Sequence, residues 1–545
     1  MNLNFVSSLE YDNNLNDIWG YTAPNGIEYA LVGLVNGTSI VSLEDPANPV
    51  EVSFLPGPNS TWRDIKTYDQ FAYVTNETSN GLLVIDLTDP NNATGVDFTD
   101  LGTGGTFSSA HNLYIDEFGF LYLAGADINS GGAVILDVAT DPANPAFVSF
   151  GAAVYAHDFF ARDNILYASQ INGGELVLYD VSDKNNISEL GSTATPFTFT
   201  HNAWPTDDGS VVFTTDEVAN APVASYDITD PNDIQLLDEF VPIATLGVGV
   251  APHNVHVWND FIIISYYTDG CIIVDGSNPT NLIEIANFDT FFQGVNGFQG
   301  AWGAYPFLPS GLVLVSDVVN GLFVLEPNYV RAAWLEGTVT SLNTGQVLDG
   351  VNVAIAAGQA NNANSNAFGE YGTGLATAGT FDVTFTKEGF FPLTTTATLV
   401  NGEITILDVQ LDSPPPATIT GQVINAETGA PIPNAIVNID GEIIDFSGVS
   451  DANGNFTIIG HDDDYIVLTA AWGFLHASQN EVIENGAGNI LIELSPGFQD
   501  DFFADLGWEV QGIVGTGAWE RGDPNGTFFK EILQIRKMIS QLILV

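Results

Sequence analysis

Short apolar stretches, each closed by an acidic residue and a turn, recur through roughly the first three hundred positions. LLVIDLTDP (82–90), AVILDVATDP (133–142), ELVLYDVSD (175–183), PVASYDITDP (222–231) and CIIVDGSNP (271–279) share the form, and TSIVSLEDP (38–46) and LFVLEP (322–327) are weaker copies. A second string precedes each copy: LNDIW, WRDIK, AHNLY, AHDFF, THNAW, PHNVH and FQGAW. Its second residue falls at Asn16, Arg63, His111, His157, His201, His253 and Gln299, giving spacings of 47, 48, 46, 44, 52 and 46. That period is the length of a four-stranded propeller blade, so the pattern predicts a seven-bladed β-propeller over residues 1–330. Within one unit, 111–151, the order is strand, turn, strand, loop, strand, Asp-Pro turn, strand, with no helical period. The seventh unit stops at Pro327 without an outer strand, while LNFVSSLEY (3–11) is unassigned. That segment is expected to complete the last blade and cover its open edge. The ring then begins essentially at Met1, which leaves no room for a leader.

The pattern changes at Trp334. WLEGTVTSLNTGQVLDGVNVAI is followed by FGEYGTGLATAGTFDVTFTKEGFFP, and a near-duplicate runs from TITGQVINAETGAPIPNAIVNID (418–440) to DYIVLTAAWGF (464–474). Short strands separated by Gly, Asn and Pro turns predict two β-sandwiches, over 331–413 and 414–495, with Pro414 to Pro416 as a stiff linker. FQDDFFADLGWEVQGIVGTGAWERGDP starts a further β-module in 496–529 that is too short to close. Residues 530–545 turn abruptly basic and lose Gly and Pro, as an aberrant tail would. The whole is therefore expected to be all-β: a seven-bladed propeller, two sandwiches and the truncated start of a jelly-roll module.

Charge narrows the partners. The chain has 67 acidic and 10 basic residues in 545, a formal charge of -57. Clustered cations are needed to displace counterions from a phosphate backbone, so nucleic acid is excluded as a partner, and an anionic membrane would repel this surface. The acidity reads as a surface kept soluble in salt, with binding of calcium or another cation as the alternative. Cys271 is the single cysteine, so intrachain disulfides and Cys-based metal motifs are excluded. No apolar run is long enough to span a bilayer, and no membrane insertion is expected. The protein is expected to be a monomer.

Candidate chemistry gathers in two loops of each unit that open on one propeller face. The loops entering the innermost strands supply His111 with Asn112, His157 with Asp158, His201 with Asn202, and His253 with Asn254. The loops joining the second and third strands add Asn76, Glu77, Asp127, Asp216, Glu217, Asp269 and Asp317. Imidazoles at equivalent positions of consecutive blades, beside carboxylates, suit a divalent transition metal, with His157 and His201 as the first candidates. The alternative is structural: each strand start needs a polar side chain to satisfy backbone groups. The Asp-Pro turns need no function, because Asp accepts the turn amides and Pro presets the turn angle. DANGN (451–455) reads as a hairpin turn, since no Glu closes a calcium loop there. No catalytic residue is assigned. Two arginines in the ring are too few for a sialidase-like clamp.

The repeat strings resemble the LVIVD repeat, and LNDIWGY, EYALVGL, NGTSIV and WRDIKTYDQFAYVTNE look like the choice-of-anchor B family of exported bacterial proteins. The two later modules resemble carboxypeptidase regulatory-like domains, with a transthyretin-like or carbohydrate-binding-like fold. The 498–524 stretch is similar to a jelly-roll module that precedes sorting signals in exported Bacteroidetes proteins. These resemblances imply export and display at the outer cell surface of a bacterium, with the signal peptide and the sorting region missing from this chain. They imply a non-enzymatic binding or scaffold protein, its propeller a recognition disc for an extracellular protein or glycan and its sandwiches spacers or carbohydrate-binding accessories. A metal-assisted hydrolase or lyase at the channel mouth is the alternative.

Overall fold

The computed structural model describes residues 2–294, 297–357, 362–441, 443–484 and 486–497. The expected jelly-roll start and the basic tail lie outside the described residues, apart from 496 and 497. Nearly all regular structure is β-strand, with four short 3-10 turns.

Seven four-stranded sheets occupy residues 3–327. In each, successive strands pair antiparallel, and the outermost strand of the seventh is Leu3–Leu9, paired with Gly321–Pro327 from Leu3 opposite Pro327 to Leu9 opposite Leu322. The first strands of neighbouring sheets touch in succession, and that of the seventh, Ala301–Tyr305, touches that of the first, Leu15–Thr22, so the arrangement closes on itself. Middle strands are buried along their length, Glu28–Leu34 completely, because both faces of each sheet are covered by its neighbours. Outer strands such as Gln235–Phe240 are largely exposed. The apolar cores lie between adjacent sheets; one joins the first and seventh through Ile18, Val32, Leu314 and Val324.

The repeated acidic residues are turn formers. Asp86, Asp137, Asp180, Asp227 and Asp275 each accept a backbone N–H two or three residues on. At the Asp-Pro turns, Asp45, Asp89, Asp141 and Asp230 accept the amide two residues on and the side-chain amide of a nearby Asn. Most of the repeat's carboxylates are thus engaged in local structure.

Residues 333–411 form two packed sheets around one core that includes Leu335, Val353, Tyr371, Phe385 and Leu411. Residues 416–494 repeat the plan around Ile419, Val437, Phe456, Val467 and Ile492. In both, a long first strand pairs antiparallel on one side and parallel on the other. The second strand lies between two antiparallel neighbours. The proline run is not a free spacer: Pro416 opens the strand Pro416–Asn425, the Pro415 carbonyl accepts from Asp462 N at 3.0 Å, and the Pro414 carbonyl accepts from His461 Nδ1 at 3.0 Å.

The first of these units is joined to the ring by specific contacts. Arg331 Nη1 lies 2.8 Å from Asp275 Oδ1, Ala332 N donates to Asp275 Oδ2 at 2.7 Å, and Trp334 Nε1 donates to the Asn281 carbonyl at 2.9 Å. Ala332 and Trp334 pack in the core shared by the sixth and seventh sheets.

Candidate functional site

Strand alternation sorts the side chains at the ring's centre into layers. In six of the seven second strings, one residue further along than the histidine position come Asp17, Asp64, Asn112, Asp158, Asn202 and Asn254, the seventh having Gly300 there. Two residues beyond those, on the same strand face, come Trp19, Lys66, Tyr114, Phe160, Trp204 and His256. Of the strand-entry anchors Asn16, Arg63, His111, His157, His201, His253 and Gln299, the four imidazoles form an arc.

The Asp and Asn layer clips sheet to sheet. Asp17 Oδ2 accepts Ile65 N at 3.0 Å, Asn112 Oδ1 accepts Phe159 N at 3.2 Å, and Asn202 Oδ1 accepts Val255 N at 3.0 Å. In the other direction Asn112 Nδ2 donates to Asp64 at 2.7 Å and Asn202 Nδ2 to Asp158 at 3.0 Å. Lys66 bonds Asp64, lies 3.7 Å from Asp17, and stands over the Trp19 ring at 4.4 Å. Burial alone would lower the Lys66 pKa, but Asp64 and Asp17 outweigh it and hold it above its ordinary value. Burial pushes Asp64 well above the usual carboxylate range and Asp158 up to about 6. Asn112, Asp158 and Asn202 are therefore committed to holding the ring together. Asn254 is buried with its carbonyl oxygen unpaired. Beyond this layer the rings of Trp19, Trp204, His256 and Phe307 pack at centroid distances of 4.7 to 6.4 Å and fill the channel. Below the mouth, the axis of the ring is thus occupied by side chains.

At the mouth, His111, His157, His201 and His253 stand ring against ring, with successive centroids 3.9, 4.1 and 4.4 Å apart. His201 Nδ1 donates to the His253 carbonyl at 3.1 Å, and His253 Nδ1 to the Trp302 carbonyl. A carbonyl only accepts, so Nδ1 carries the proton in both rings and Nε2 carries the lone pair. His157 Nδ1 is buried without a hydrogen bond of normal geometry. Burial and the neighbouring imidazoles hold His157 and His201 well below the ordinary histidine range. Burial holds His253 at about 3, against the Trp302 carbonyl, which raises it. These three rings are neutral at neutral pH.

Two carboxylates reach the arc. Glu77 Oε1 lies 2.7 Å from His111 Nδ1. Glu217 Oε2 lies 3.7 Å from His201 Nε2, and Glu217 Oε1 accepts from the Tyr267 hydroxyl. A ring nitrogen of His201, one of His253 and an oxygen of Glu217 all lie within 4.8 Å of one another.

Of the expected first pair, His157 and His201, it is His201 that falls in this group, with Glu217 and His253; His157 is not a member of it. Asp216, expected beside Glu217, also drops out, because its two oxygens accept Phe197 N, Phe199 N and the Thr195 hydroxyl and pin the loop before the fifth sheet. Asn76, Asp127, Asp269 and Asp317 are likewise tied to loop amides or hydroxyls. Tyr267, Trp62 and Trp302 were missed. Tyr267 falls at the repeat position of Glu77 and Glu217, three residues past the paired Val74, Thr214 and Ile264, so aligning the second strands would have found it. Trp62 and Trp302 flank the arc, 6.4 Å from His111 and 4.7 Å from His253.

A cleft of about 840 Å³ lies elsewhere, between the rim of the fifth and sixth sheets and the first two-sheet unit. Glu239, Asn281, Glu336, Asn366, Glu370 and Asp408 line it, and no imidazole is among its residues.

Family models match three segments. The LVIVD repeat matches residues 61–95, which end at the start of the second sheet's outer strand, and 252–290, which span the sixth sheet, and the carboxypeptidase regulatory-like domain matches 335–412. No curated protein matches the chain. Among solved structures, the Myceliophteria thermophila Cps50 (Swd1) β-propeller domain aligns with 60% of this chain and all of its own, at 11% identity and a TM-score of 0.44. The Bacillus anthracis TIE protein aligns with 34% of this chain at 15% identity and a TM-score of 0.17, and the match spans 41% of that protein's length. No helix among the described residues is long and apolar enough to cross a membrane.

Proposed function

We propose that the protein is a secreted or surface-displayed, non-enzymatic binding protein. Its seven sheets form the blades of a recognition disc over residues 1–330, and two carboxypeptidase regulatory-like sandwiches, 331–413 and 414–495, carry that disc as spacers. The observation that carries this reading is the face at which the four imidazoles gather. One face of the ring presents polar rings and exposed aromatics around a mouth, with packed aromatic side chains below it. Trp62, 42% exposed, and Phe298, 54% exposed, stand at that rim, and such side chains supply most binding energy where surfaces meet. The LVIVD and regulatory-like matches and the acidic surface support an extracellular setting and membership of the choice-of-anchor B family. The ligand classes that suit the site are a glycan or an extracellular polypeptide.

The test is a glycan and extracellular-protein binding screen with the full chain, repeated with Trp62→Ala, Phe298→Ala and, in the separate cleft, Glu370→Gln. Binding lost by tenfold or more with the rim variants and kept with Glu370→Gln supports the disc face. The opposite pattern moves the site to the cleft. A second reading, a metal-assisted hydrolase or lyase, is favoured by the grouping of His201, His253 and Glu217; turnover that disappears with Glu217→Gln would establish it in place of the first.

A further inference from the structure

We infer that His201, His253 and Glu217 form a binding site for a divalent transition-metal ion of the zinc class, with a coordination position left for water or a ligand group. The inference deepens the proposal above and rests on its reading of the channel mouth as the binding face.

Three observations point to a cation. The first is proximity: one ring nitrogen from each histidine and one carboxylate oxygen come within 4.8 Å of one another, His201 from the strand Thr200–Pro205 and Glu217 and His253 from loops, on two adjacent sheets. Tetrahedral ligands about a zinc ion stand about 3.3 Å apart, and Glu217, already 3.7 Å from His201 and partly exposed, is the ligand with room to close on the ion.

The second is the pattern of lone pairs. His201 and His253 spend Nδ1–H on backbone carbonyls, so each presents Nε2 as an acceptor. His201 Nε2 stands 3.7 Å from the Glu217 carboxylate, which is also an acceptor. Facing acceptors repel unless a proton or a metal ion lies between them. The residues are 2% and 3% exposed at His201 and His253, so water screens this repulsion poorly.

The third is the outer support. The carbonyls behind both imidazoles and the Tyr267 hydroxyl behind Glu217 fix ring orientation and carboxylate position, as the partners of metal ligands characteristically do. Two neutral imidazoles and one carboxylate suit zinc, cobalt or nickel. Calcium prefers oxygen ligands throughout, so this donor set discriminates against it. Three protein ligands leave a tetrahedral ion one open position.

The experiment uses the full chain stripped with chelator and titrated with Co(II) alone, followed by the visible d–d absorption and by competition with Zn(II). The expected result is one equivalent bound with a tetrahedral-type spectrum, displaced by zinc and indifferent to excess calcium. Glu217→Gln should weaken binding by tenfold or more, and His201→Gln and His253→Gln should abolish the spectrum. His111→Gln, outside the group, should leave it unchanged. Should the histidine variants fold poorly, Glu217→Gln decides, since that side chain reaches solvent and Gln retains an acceptor for Tyr267. Several weak equivalents without the spectrum, as an acidic surface would bind, would overturn the inference. So would tight binding unaffected by Glu217→Gln, or a proton shared between Glu217 and His201 that Co(II) fails to displace. If the metal site fails while the rim variants still abolish glycan or protein capture, the binding disc stands without it.

Discussion

Glu217 and Asp216 are neighbours in sequence with different fates. Adjacent residues at a strand end point to opposite sides, so one carboxylate reaches the mouth and the other staples its own loop. Counting acids near a histidine could not separate them, and the same difficulty made Asp158 look like a partner for His157 when it belongs to the Asp and Asn layer. The repeat register was the usable signal, because it places Glu77, Glu217 and Tyr267 in one class. Next to the Asp and Asn layer stands Lys66, among the described residues the ring's only cation beside two buried carboxylates. Replacing Lys66 with Met leaves Asp17 and Asp64 without it, and removing one partner from a buried ion pair costs about 3 to 5 kcal/mol. The pH dependence follows from the direction of the shifts. Asp17 and Asp64 are already raised by burial, and losing Lys66 raises them further. A raised carboxyl stabilises the fold fully below its unfolded pKa, near 3.9, and that contribution is lost as pH rises through the folded value. Chemical denaturation should therefore show Lys66→Met weakened most at neutral and alkaline pH and closest to wild type near pH 4. A deficit independent of pH would mean that the methionine packs badly and the charges matter little.

At the scale of elements, the strands and their turns were readable because their causes are local. Asp, Pro and Gly set the turns, and alternation sets the strands, so seven repeats of one pattern appear with their spacing intact. What local pattern could not give is how far the first strands tilt and how closely they gather. That gathering brings four imidazoles into contact, ring against ring. The N-terminal strand Leu3–Leu9 illustrates an element whose place depends on a partner more than three hundred residues away. It covers the edge of Gly321–Pro327, and Leu3 enters the core beside Phe323 and Leu325. Removing residues 2–11 should expose the backbone N–H and C=O groups of that edge and the apolar surface under it. Size-exclusion chromatography is expected to show dimers or larger species that grow with concentration. A truncated chain that remains monomeric and soluble would show that the seventh sheet is stable with three strands.

Over the whole molecule, every cation among the described residues is already engaged. Arg63 donates to backbone carbonyls, and Lys66, Arg162, Lys184, Arg331 and Lys387 lie within 4.0 Å of carboxylates. The surface left over is acidic, which explains why composition excluded nucleic acid at once yet could not locate a ligand. Arg331 is the cation at the joint between ring and module, since its partner Asp275 is fully buried in the sixth sheet and the chain enters the next unit immediately after it. Cys271 lies in the same core as Ala332 and Trp334, is completely buried, and has its thiol pushed up to about 12 by burial. It should therefore resist thiol reagents until this core opens, and so report on the joint between ring and module. Trp334→Ala removes a large side chain from that core and the hydrogen bond to Asn281, a change expected to cost about 3 to 5 kcal/mol. Arg331→Met should cost less, about 2 kcal/mol, because the guanidinium reaches solvent and Ala332 N and Ser277 still bond Asp275. The two sites share one junction, so the double variant should fall short of the sum. Cys271 labelling measured against urea concentration gives all three values. If the single variants label as slowly as wild type while residues 333–411 become protease-sensitive, the module unfolds without disturbing the ring. The joint would then be a tether and not a shared core.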